Sequence, residues 1–537
     1  MSQLDMESPS ANSQEKVAAR FGRATIFSLA TTASGAILGL AGTVLMARML
    51  GATILGQLAI LTLLIQGFNM VSSLGEQSGF YYEMARRERG SREAGALLWA
   101  TGIFSGAITL LLAIPFMMVA RYVLLHVYHH PELVAPLGIL LVVYLVFGNF
   151  AGLFDFVIQG LLVQQYQFLV TVATGLFAIV VTVVLPHVYG QSLLAGVAIT
   201  SSVSVAAVVT RIVVVSKLLP LWPTPKELAA AFRALPGMLS YGMRSVPNNA
   251  SNLLLEYADT AVLAALVPIS SVGAYGRAYT LFSRLTNVTS SVSRTLYPTV
   301  IKLHAHGDRD GIIRVVRRTF RYLSAVVFPV ACGTAALSPA IMRLFGSGFA
   351  VAAPALTYLS IGLVFNVVSM FNGAVTGGMG TPGRVAACIA GGGIVNLLLN
   401  LLLDPRLGLV GAGLANSGGM AFMAASGVVV MTRRLKTSVW QLLDLSVVVR
   451  IAMASVAMGL VVALTSRATG NNYLALLLSL VAGVAVYAAL CIALGIVDAD
   501  ERARLARLLK QVSSAISPVG LAGLLQTVAR LTQGTRY

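Results

Sequence analysis

Two hydrophobic segments in the middle of the chain carry ionisable and amide side chains at helical spacing. At about 100° per residue, five polar residues of the first segment share an arc of about 120°: Arg244, Asn248, Asn252, Glu256 and Asp259. Five residues of the next segment share about 100°: Arg277, Arg284, Asn287, Ser291 and Arg294. A charge near the middle of a bilayer costs at least ~2.5 kcal/mol, so such groups normally face a partner or a watery cavity. The stripes predict a lumen for a polar, anionic cargo.

Depth along each segment separates these side chains into inner and outer sets. At a rise of about 1.5 Å per residue, Arg244 and Arg294 lie toward the cytoplasm, and Arg284 lies near mid-membrane. Guanidinium groups hold phosphate oxygens through paired hydrogen bonds, so Arg244 and Arg294 could share one anion site. The alternative is that both side chains snorkel to the cytoplasmic surface.

The outer part of the same segments carries charges of both signs. Glu256 and Asp259 are the nearest candidates to pair with Arg277 or Arg284 and so to close the cavity. Pro247 removes one hydrogen bond from its helix and permits a bend, so it is a candidate hinge for alternating access. A static kink is the alternative reading of Pro247.

An earlier segment carries a polar stripe of its own. On helical spacing an arc of about 80° contains Thr62, Gln66, Asn69, Ser73 and Glu76. This stripe either lines the same cavity or provides hydrogen bonds between neighbouring spans, as Ser, Thr, Asn and Gln often do in membranes.

The composition is that of a polytopic membrane protein. The chain has 537 residues, is 57% hydrophobic and 10% charged, and has a mean hydropathy of +0.84. With about 20 apolar residues per span, we predict about fourteen spans, which begin near residues 24, 54, 94, 135, 168, 191, 238, 278, 319, 353, 384, 409, 448 and 473. The polar first 23 residues lack a short apolar core with a cleavage site, so we expect no removable signal peptide.

The net charge of +18 follows from topology rather than from nucleic-acid binding, because the basic residues are spread among the loops. If the N-terminus is cytoplasmic, the great majority of Lys and Arg fall on the cytoplasmic side. The opposite side then holds Arg48, Arg121, Arg277, Arg343, Arg406 and Arg467. This bias predicts that both termini are cytoplasmic.

The cysteines and histidines predict neither a disulfide framework nor a metal or cofactor site. The three cysteines lie in apolar segments: Cys332, Cys388 and Cys491. His126, His129 and His130 form a loop cluster that only Glu132 joins, which favours a solvated or interfacial loop over a metal site.

An internal repeat relates the two halves of the chain. An offset of 217 positions aligns the first six predicted spans with the next six without a gap, and places Gly56 on Gly273 and Asn149 on Asn366. Duplicated units are common in secondary transporters, and units with an even number of spans are related by an axis along the membrane normal. The alternative is a chance match, since a few small and apolar residue types dominate the composition.

The predicted fold is therefore all-α, with two six-helix lobes related by a pseudo-two-fold axis along the membrane normal and two additional C-terminal helices. The predicted parts are a cytoplasmic tail (1–23), an N-lobe (24–216), a cytoplasmic linker (217–236), a C-lobe (237–432), spans thirteen and fourteen (433–497) and a cytoplasmic amphipathic tail (498–537). Residues 498–511 predict either a helix lying on the cytoplasmic leaflet or a solvated tail.

The sequence lacks the motifs that characterise several classes of enzyme and pump. The sequence has no phosphate-binding G-x-x-x-x-G-K-[ST] loop and no soluble segment long enough for a nucleotide-binding domain. It has no nucleophile elbow or zinc motif, which disfavours a membrane-bound glycosyltransferase or ligase. We expect a transporter driven by an ion gradient, the membrane potential or the gradient of its substrate.

Two short stretches resemble the oligosaccharide flippase, or polysaccharide biosynthesis, family of the multidrug/oligosaccharidyl-lipid/polysaccharide (MOP) superfamily. They are ARMLGATILGQLA (47–59) and EYADTAVLAALVPISSVGAYGRAYTL (256–281), and GLVGAGLA (408–415) is a weaker match. In this family the Asp of span seven is commonly followed by a basic or polar residue. Here Asp259 is followed by Thr260, which carries no charge, so an ion-pair partner for Asp259 must come from elsewhere.

The resemblance implies a flippase that moves polyprenyl-diphosphate-linked oligosaccharide from the cytoplasmic to the periplasmic leaflet of the bacterial inner membrane. It implies no cofactor and no nucleic acid, and allows a polysaccharide polymerase or glycosyltransferase as a partner. The roles that we predict are diphosphate binding by Arg244, Arg284 and Arg294, sugar binding by Asn248, Asn252, Asn287, Gln66 and Asn69, and gating or coupling by Glu256, Asp259, Arg277 and Pro247. The alternatives are an ion-coupled multidrug exporter with the same fold and a membrane scaffold for a polysaccharide synthase.

Overall fold

The structure is a computed structural model that describes residues 11–73, 75–84, 86–87, 90–161, 163–468 and 473–496. All regular structure in these residues is helical, as the sequence predicts. The C-terminal tail, with its predicted surface helix at 498–511, lies outside the described residues. The chain divides into two compact units, with the boundary between Leu443 and Asp444.

The N-lobe is formed by helices from the first half of the larger unit. They are α1 (Ala11–Ser73), α2 (Glu76–Met84), α3 (Arg92–His126), α4 (Val134–Val143), a π-helix (Tyr144–Gly148), α5 (Asn149–Gly160), α6 (Gln164–Tyr189), α7 (Leu193–Val215) and α8 (Pro225–Met243). Helix α1 holds the first two predicted spans, separated at Gly51, whose φ of 80° is readily available only to glycine.

The C-lobe completes this unit. It consists of α9 (Val246–Leu266), α10 (Ile269–Ala305), α11 (Arg309–Phe345), a 3₁₀ helix (Ser347–Ala352), α12 (Ala353–Gly378), α13 (Pro382–Leu407), α14 (Leu409–Leu435) and the short α15 (Val439–Leu443). The smaller unit contains α16 (Leu445–Ala468) and α17 (Tyr473–Ala493), where the last two spans are predicted.

Eleven helical stretches of the described residues are long and apolar enough to cross a membrane. The predicted number of about fourteen is not reached. The two halves of α1 count as one stretch, Ala30–Ser73, and the polar helices α9 and α10 fall below the required hydropathy. A multi-pass membrane protein follows from these stretches, whereas the number fourteen stays a prediction.

Helix α8 belongs structurally to the N-lobe, although its sequence begins within the predicted linker 217–236. Its start is fixed by a capping box in which Thr224 and Glu227 exchange hydrogen bonds, and these bonds lower the pKa of the exposed Glu227 carboxyl. Its buried residues Leu235 and Met238 join the apolar core of the N-lobe, together with Phe80 and Leu97. The following helix, α9, packs instead on α13 of the C-lobe.

The two lobes meet at a pair of glycines that the repeat relates to each other. A Cβ built on Gly56 of α1 would overlap the carbonyl oxygen of Ile269, and one built on Gly273 of α10 would overlap that of Ala52. The offset of 217 also carries Ala52 onto Ile269, so the contact is reciprocal about the pseudo-two-fold axis. At the same predicted outer end, Arg48 Nε donates a 2.8 Å hydrogen bond from α1 to the carbonyl of Leu344 in α11.

The glycine contact predicts that Gly273→Ala destabilises the protein, because its added methyl group has no room between the two main chains. Overpacking of this kind costs roughly 1–3 kcal/mol. We expect a clearly lower midpoint of thermal unfolding in detergent.

The matched control for this substitution is Gly276→Ala in the same helix, where the added Cβ would meet nothing closer than Ala59 Cβ at 4.0 Å. Equal unfolding midpoints for the two variants would mean that the lobes do not touch at Gly56 and Gly273.

Candidate functional site

A cavity of about 230 Å³ lies between the lobes, beside the glycine contact. It is bounded by α1, α9 and α10, with Thr200 contributed by α7. Glu256 and Arg277 both line it, as do Thr62 and Tyr257. Pockets for drug-sized ligands are about 300–1,000 Å³, so this cavity accommodates only a small group.

Arg284 lies where the sequence predicts a cation facing the lumen. Its side chain is exposed and approaches α1 of the opposite lobe: a Cβ built on Gly39 would lie 3.2 Å from Arg284 Nη2. The absence of a side chain at Gly39 therefore leaves room for the guanidinium group between the lobes. In the described part of the chain, no ion pair neutralises Arg284.

The predicted inner set is distributed around the junction of α8 and α9. Arg244 and Asn252 are exposed, and Asn248 is half-buried. Arg294 lies on α10, but its side chain is outside the described part of the structure, so a shared anion site of Arg244 and Arg294 stays a prediction.

Pro247 follows a break in the helix rather than causing a kink within it. Helix α8 ends at Met243 and α9 begins at Val246, which leaves Arg244 and Ser245 as the joint. Pro247 then occupies the first turn of α9, where a missing N–H removes no helical hydrogen bond. The continuous arc predicted from Arg244 to Asp259 is therefore interrupted at its first member.

Asp259 is turned away from the lumen and is fully buried in the C-lobe. The predicted pairing of Asp259 with Arg277 or Arg284 is not found. Its carboxylate instead accepts hydrogen bonds from the Tyr275 hydroxyl, from Asn400 Nδ2 at 2.8 Å and from Asn416 Nδ2 at 2.9 Å. Hydrogen bonds to a charged acceptor are the stronger kind, and they supply the partners that the sequence left open.

Further polar atoms beside Asp259 have no hydrogen-bond partner within the described residues. They are both carboxylate oxygens of Asp404, Oδ1 of Asn400 and of Asn416, and Nδ2 of Asn396. Carboxylate and amide oxygens suit a hard cation, so this cluster is the part of the described chain best suited to hold a small cation or a proton. Groups of three or more His, Cys, Asp or Glu that could hold a metal do not occur in those residues.

The sequence analysis missed the partners of Asp259, although a signal was present. Asn396, Asn400 and Asp404 recur every four residues in the run NLLLNLLLD of α13, which places them on one helix face. Tyr275 lies within the stretch 256–281 that carries the family resemblance, but its spacing alone does not pair it with Asp259. Asn416 stands alone in α14, so only the fold brings it to this cluster.

The polar stripe of the second predicted span is partly used within the N-lobe. Asn69 Oδ1 accepts a 2.7 Å hydrogen bond from the Tyr144 hydroxyl, which supports the hydrogen-bonding alternative for this residue. Gln66 lies close to Tyr257 of the C-lobe and is half-buried. Asn287 on α10 is exposed, like Arg284 one turn earlier.

Solved structures with this fold are transporters. The structure named lipid II flippase MurJ, inward closed conformation, aligns with a TM-score of 0.69 and 17% identity, covering 87% of this chain and 97% of that one. An inward-facing multidrug resistance MATE family transporter of the MOP superfamily aligns with a TM-score of 0.59 and 14% identity, over 77% of this chain and 98% of that one. At these identities the likeness establishes the fold alone.

Two relatives found by sequence are named as a membrane protein and as a probable flippase. An uncharacterized membrane protein of Methanocaldococcus jannaschii, MJ1068, is 27% identical over 213 residues, which are 39% of this chain and 42% of that one. The probable low-salt glycan biosynthesis flippase Agl15 of Haloferax volcanii is 24% identical over 188 residues, 35% of this chain and 40% of that one. The matches thus span about two-fifths of these relatives.

The family model described as polysaccharide biosynthesis protein matches residues 21–304, which is more than half of the chain. The matched region contains both stretches that carry the resemblance, around Arg48 and around Asp259. The chain belongs to the polysaccharide biosynthesis protein family.

Proposed function

We propose that this protein is a flippase that moves polyprenyl-diphosphate-linked oligosaccharide from the cytoplasmic to the periplasmic leaflet of a bacterial inner membrane, with both of its termini in the cytoplasm. The observation that carries the proposal is the position of Arg284, a cation between the lobes that approaches Gly39 of the opposite lobe. The family membership and the flippase name of the Haloferax relative support it.

The cargo determines the roles that we assign. A diphosphate carries several anionic oxygens, which suit the paired donors of Arg284 and of the inner residues Arg244 and Arg294. Sugar hydroxyls suit the amides of the predicted sugar-binding set, which consists of Asn248, Asn252, Asn287, Gln66 and Asn69. A polysaccharide polymerase or a glycosyltransferase is the kind of partner that this activity requires.

We assign gating to residues in the cavity wall and coupling to a residue on the buried side of α9. Glu256 and Arg277 line the cavity beside the glycine contact, and we assign to them the opening and closing of its outer end. Asp259, on the buried side, takes up a proton or a small cation within the C-lobe and so couples transport to an ion gradient. Pro247 fixes the backbone of the first turn of α9. It lies next to the joint at Arg244 and Ser245, where we assign the change of angle between α8 and α9.

The cationic lumen predicts that Arg284→Ala strongly reduces export of the lipid-linked oligosaccharide while the protein stays in the membrane. Hydrogen bonds to a charged group are worth roughly 1.5–3 kcal/mol, so we expect a loss of about 10- to 100-fold in translocation. The measurement is the appearance of the oligosaccharide in the periplasmic leaflet, detected with a sugar-modifying probe that acts only from that side.

Two variants serve as controls for the Arg284 experiment. Arg284→Lys keeps the charge but not the paired donors and should retain intermediate activity, and Arg121→Ala, at an exposed position of α3, should behave as wild type. Normal export by Arg284→Ala would refute the assigned role, and an unchanged leaflet distribution in cells depleted of the protein would favour the multidrug-exporter alternative.

The buried carboxylate predicts that Asp259→Asn uncouples transport from the ion gradient. Tyr275, Asn400 and Asn416 all donate to Asp259, so an amide there also brings one donor against another, at a cost of about 1–3 kcal/mol in stability. We expect a lower unfolding midpoint and a translocation rate in proteoliposomes that no longer responds to an imposed sodium or pH gradient.

Asp310→Asn, at an exposed site in the first turn of α11, is the matched control and should keep the wild-type response. A gradient response of Asp259→Asn equal to that of wild type would exclude Asp259 as the coupling group.

A further inference from the structure

Glu76, the first residue of α2, is a buried acid that has no role in the lumen. Its side chain is 3% exposed, and Oε2 makes no hydrogen bond within the described residues. The break at Gly75 before α2, with φ of 75°, separates Glu76 from the polar stripe that continues along α1. A buried carboxylate oxygen without a partner makes ionisation costly, so the neutral, protonated form fits this position.

The surroundings of Glu76 leave room for a proton rather than for a metal ion. Ser105 of α3 lies beside the carboxyl group, and its Oγ is also buried without a hydrogen bond in the described part of the structure. The neighbouring Thr109 is already engaged, because it donates to the Ser105 carbonyl at 2.7 Å and accepts from Asn149 at 3.0 Å. Two unpaired oxygens are far fewer than the six or so that a hard cation takes.

The charged groups of the helices packed against α2 are either exposed, as Glu93, Lys226 and Arg233 are, or joined in ion pairs. Their ion pairs join Glu83 to Arg87, Asp155 to Arg211 and Glu227 to Arg92. Tyr144 is a titratable neighbour of Glu76, and its hydroxyl donates to Asn69. Among the described residues, no ion pair includes Glu76, so a bound proton is what neutralises this acid.

Helix α8 packs against the start of α2, where this buried acid lies. A Cβ built on Gly242 would overlap the Gly75 carbonyl and come within 3.4 Å of the backbone nitrogen of Glu76. One turn earlier, Met238 Sδ accepts a 3.8 Å hydrogen bond from Thr101 of α3. Helix α8 therefore packs directly on the main chain that carries Glu76.

We propose that Glu76 binds a proton when α8 docks on the N-lobe and releases it to the cytoplasmic water when α8 lifts about the joint at Arg244 and Ser245. The N-lobe would then carry a proton site of its own, separate from the Asp259 cluster. Its use in transport rests on the proposed flippase function, because lifting α8 opens the inner end of the lumen. The docked state is favoured at low pH and is lost as the pH rises, since ionised Glu76 must reach water.

The test measures the position of α8 directly, in the full chain without substrate. Nitroxide labels are attached at Arg86→Cys and Lys226→Cys, both exposed positions, after replacement of the three native cysteines. Distances between the labels are measured by pulsed electron paramagnetic resonance in lipid nanodiscs over about pH 5 to 9, the range in which buried carboxyl groups titrate. From Arg244 to Lys226, α8 is a lever of about 27 Å, so a rotation of roughly 20° moves its far end by about 9 Å.

We expect the wild-type distance distribution to shift by several ångströms as the pH rises, and Glu76→Gln to keep the low-pH distribution throughout. Glu93→Gln, at an exposed position of α3, is the matched control and should follow wild type. Ser105→Ala removes the hydroxyl beside the carboxylate and should move the transition to higher pH. A wild-type distance that does not change with pH, or a Glu76→Gln variant that changes as wild type does, would overturn the proposal.

This measurement separates the proposal from the proposed function, because it detects helix docking and no transport. A pH-dependent distance in a protein that moves no lipid-linked oligosaccharide would keep Glu76 as a proton site and refute only the flippase assignment.

Discussion

The close contact between the main chains of α1 and α10 at Gly56 and Gly273 sets the spacing of the two lobes. Side chains are excluded there, so carbonyl groups of each lobe lie directly against the glycine of the other. Because the contact is reciprocal, each lobe presents the same element to its partner, as a duplicated unit requires. The cavity beside it, with Glu256 and Arg277 in its wall, owes its small volume to this approach.

The distribution of ionisable groups follows from what a membrane tolerates. Each acid in the interior has either strong donors or a neutral form available, since an ionised carboxylate without a partner is expensive in a medium of low polarity. Asp259 accepts hydrogen bonds from three donors, whereas Oε2 of Glu76 has none in the described residues and therefore suits the neutral form. Arg284 differs from both acids, because its side chain is exposed in the gap between the lobes, beside Gly39.

The sequence predicted those features that depend on periodicity and on repetition. Helical content, the membrane class and the paired lobes all follow from spacing along the chain, whereas the role of Arg284 in the lumen stays a prediction. The sequence could not show that α8 packs on the N-lobe, because the helix break at Arg244 and Ser245 has no glycine or proline within it. Nor could it identify the donors of Asp259, since Asn400 and Asn416 are distant in sequence and meet only through the packing of α9, α13 and α14.

The two buried acids lie on either side of the joint between α8 and α9, and this position gives the joint its importance. Helix α8 covers Glu76 in one lobe, while α9 carries Asp259 into the core of the other. A change of angle at Arg244 and Ser245 must therefore alter the surroundings of at least one acid, and a change of protonation at either acid must bias that angle by linkage. Under the two proposals made above, the helical arm that crosses between the lobes connects proton or ion binding at the two acids to the opening of the lumen.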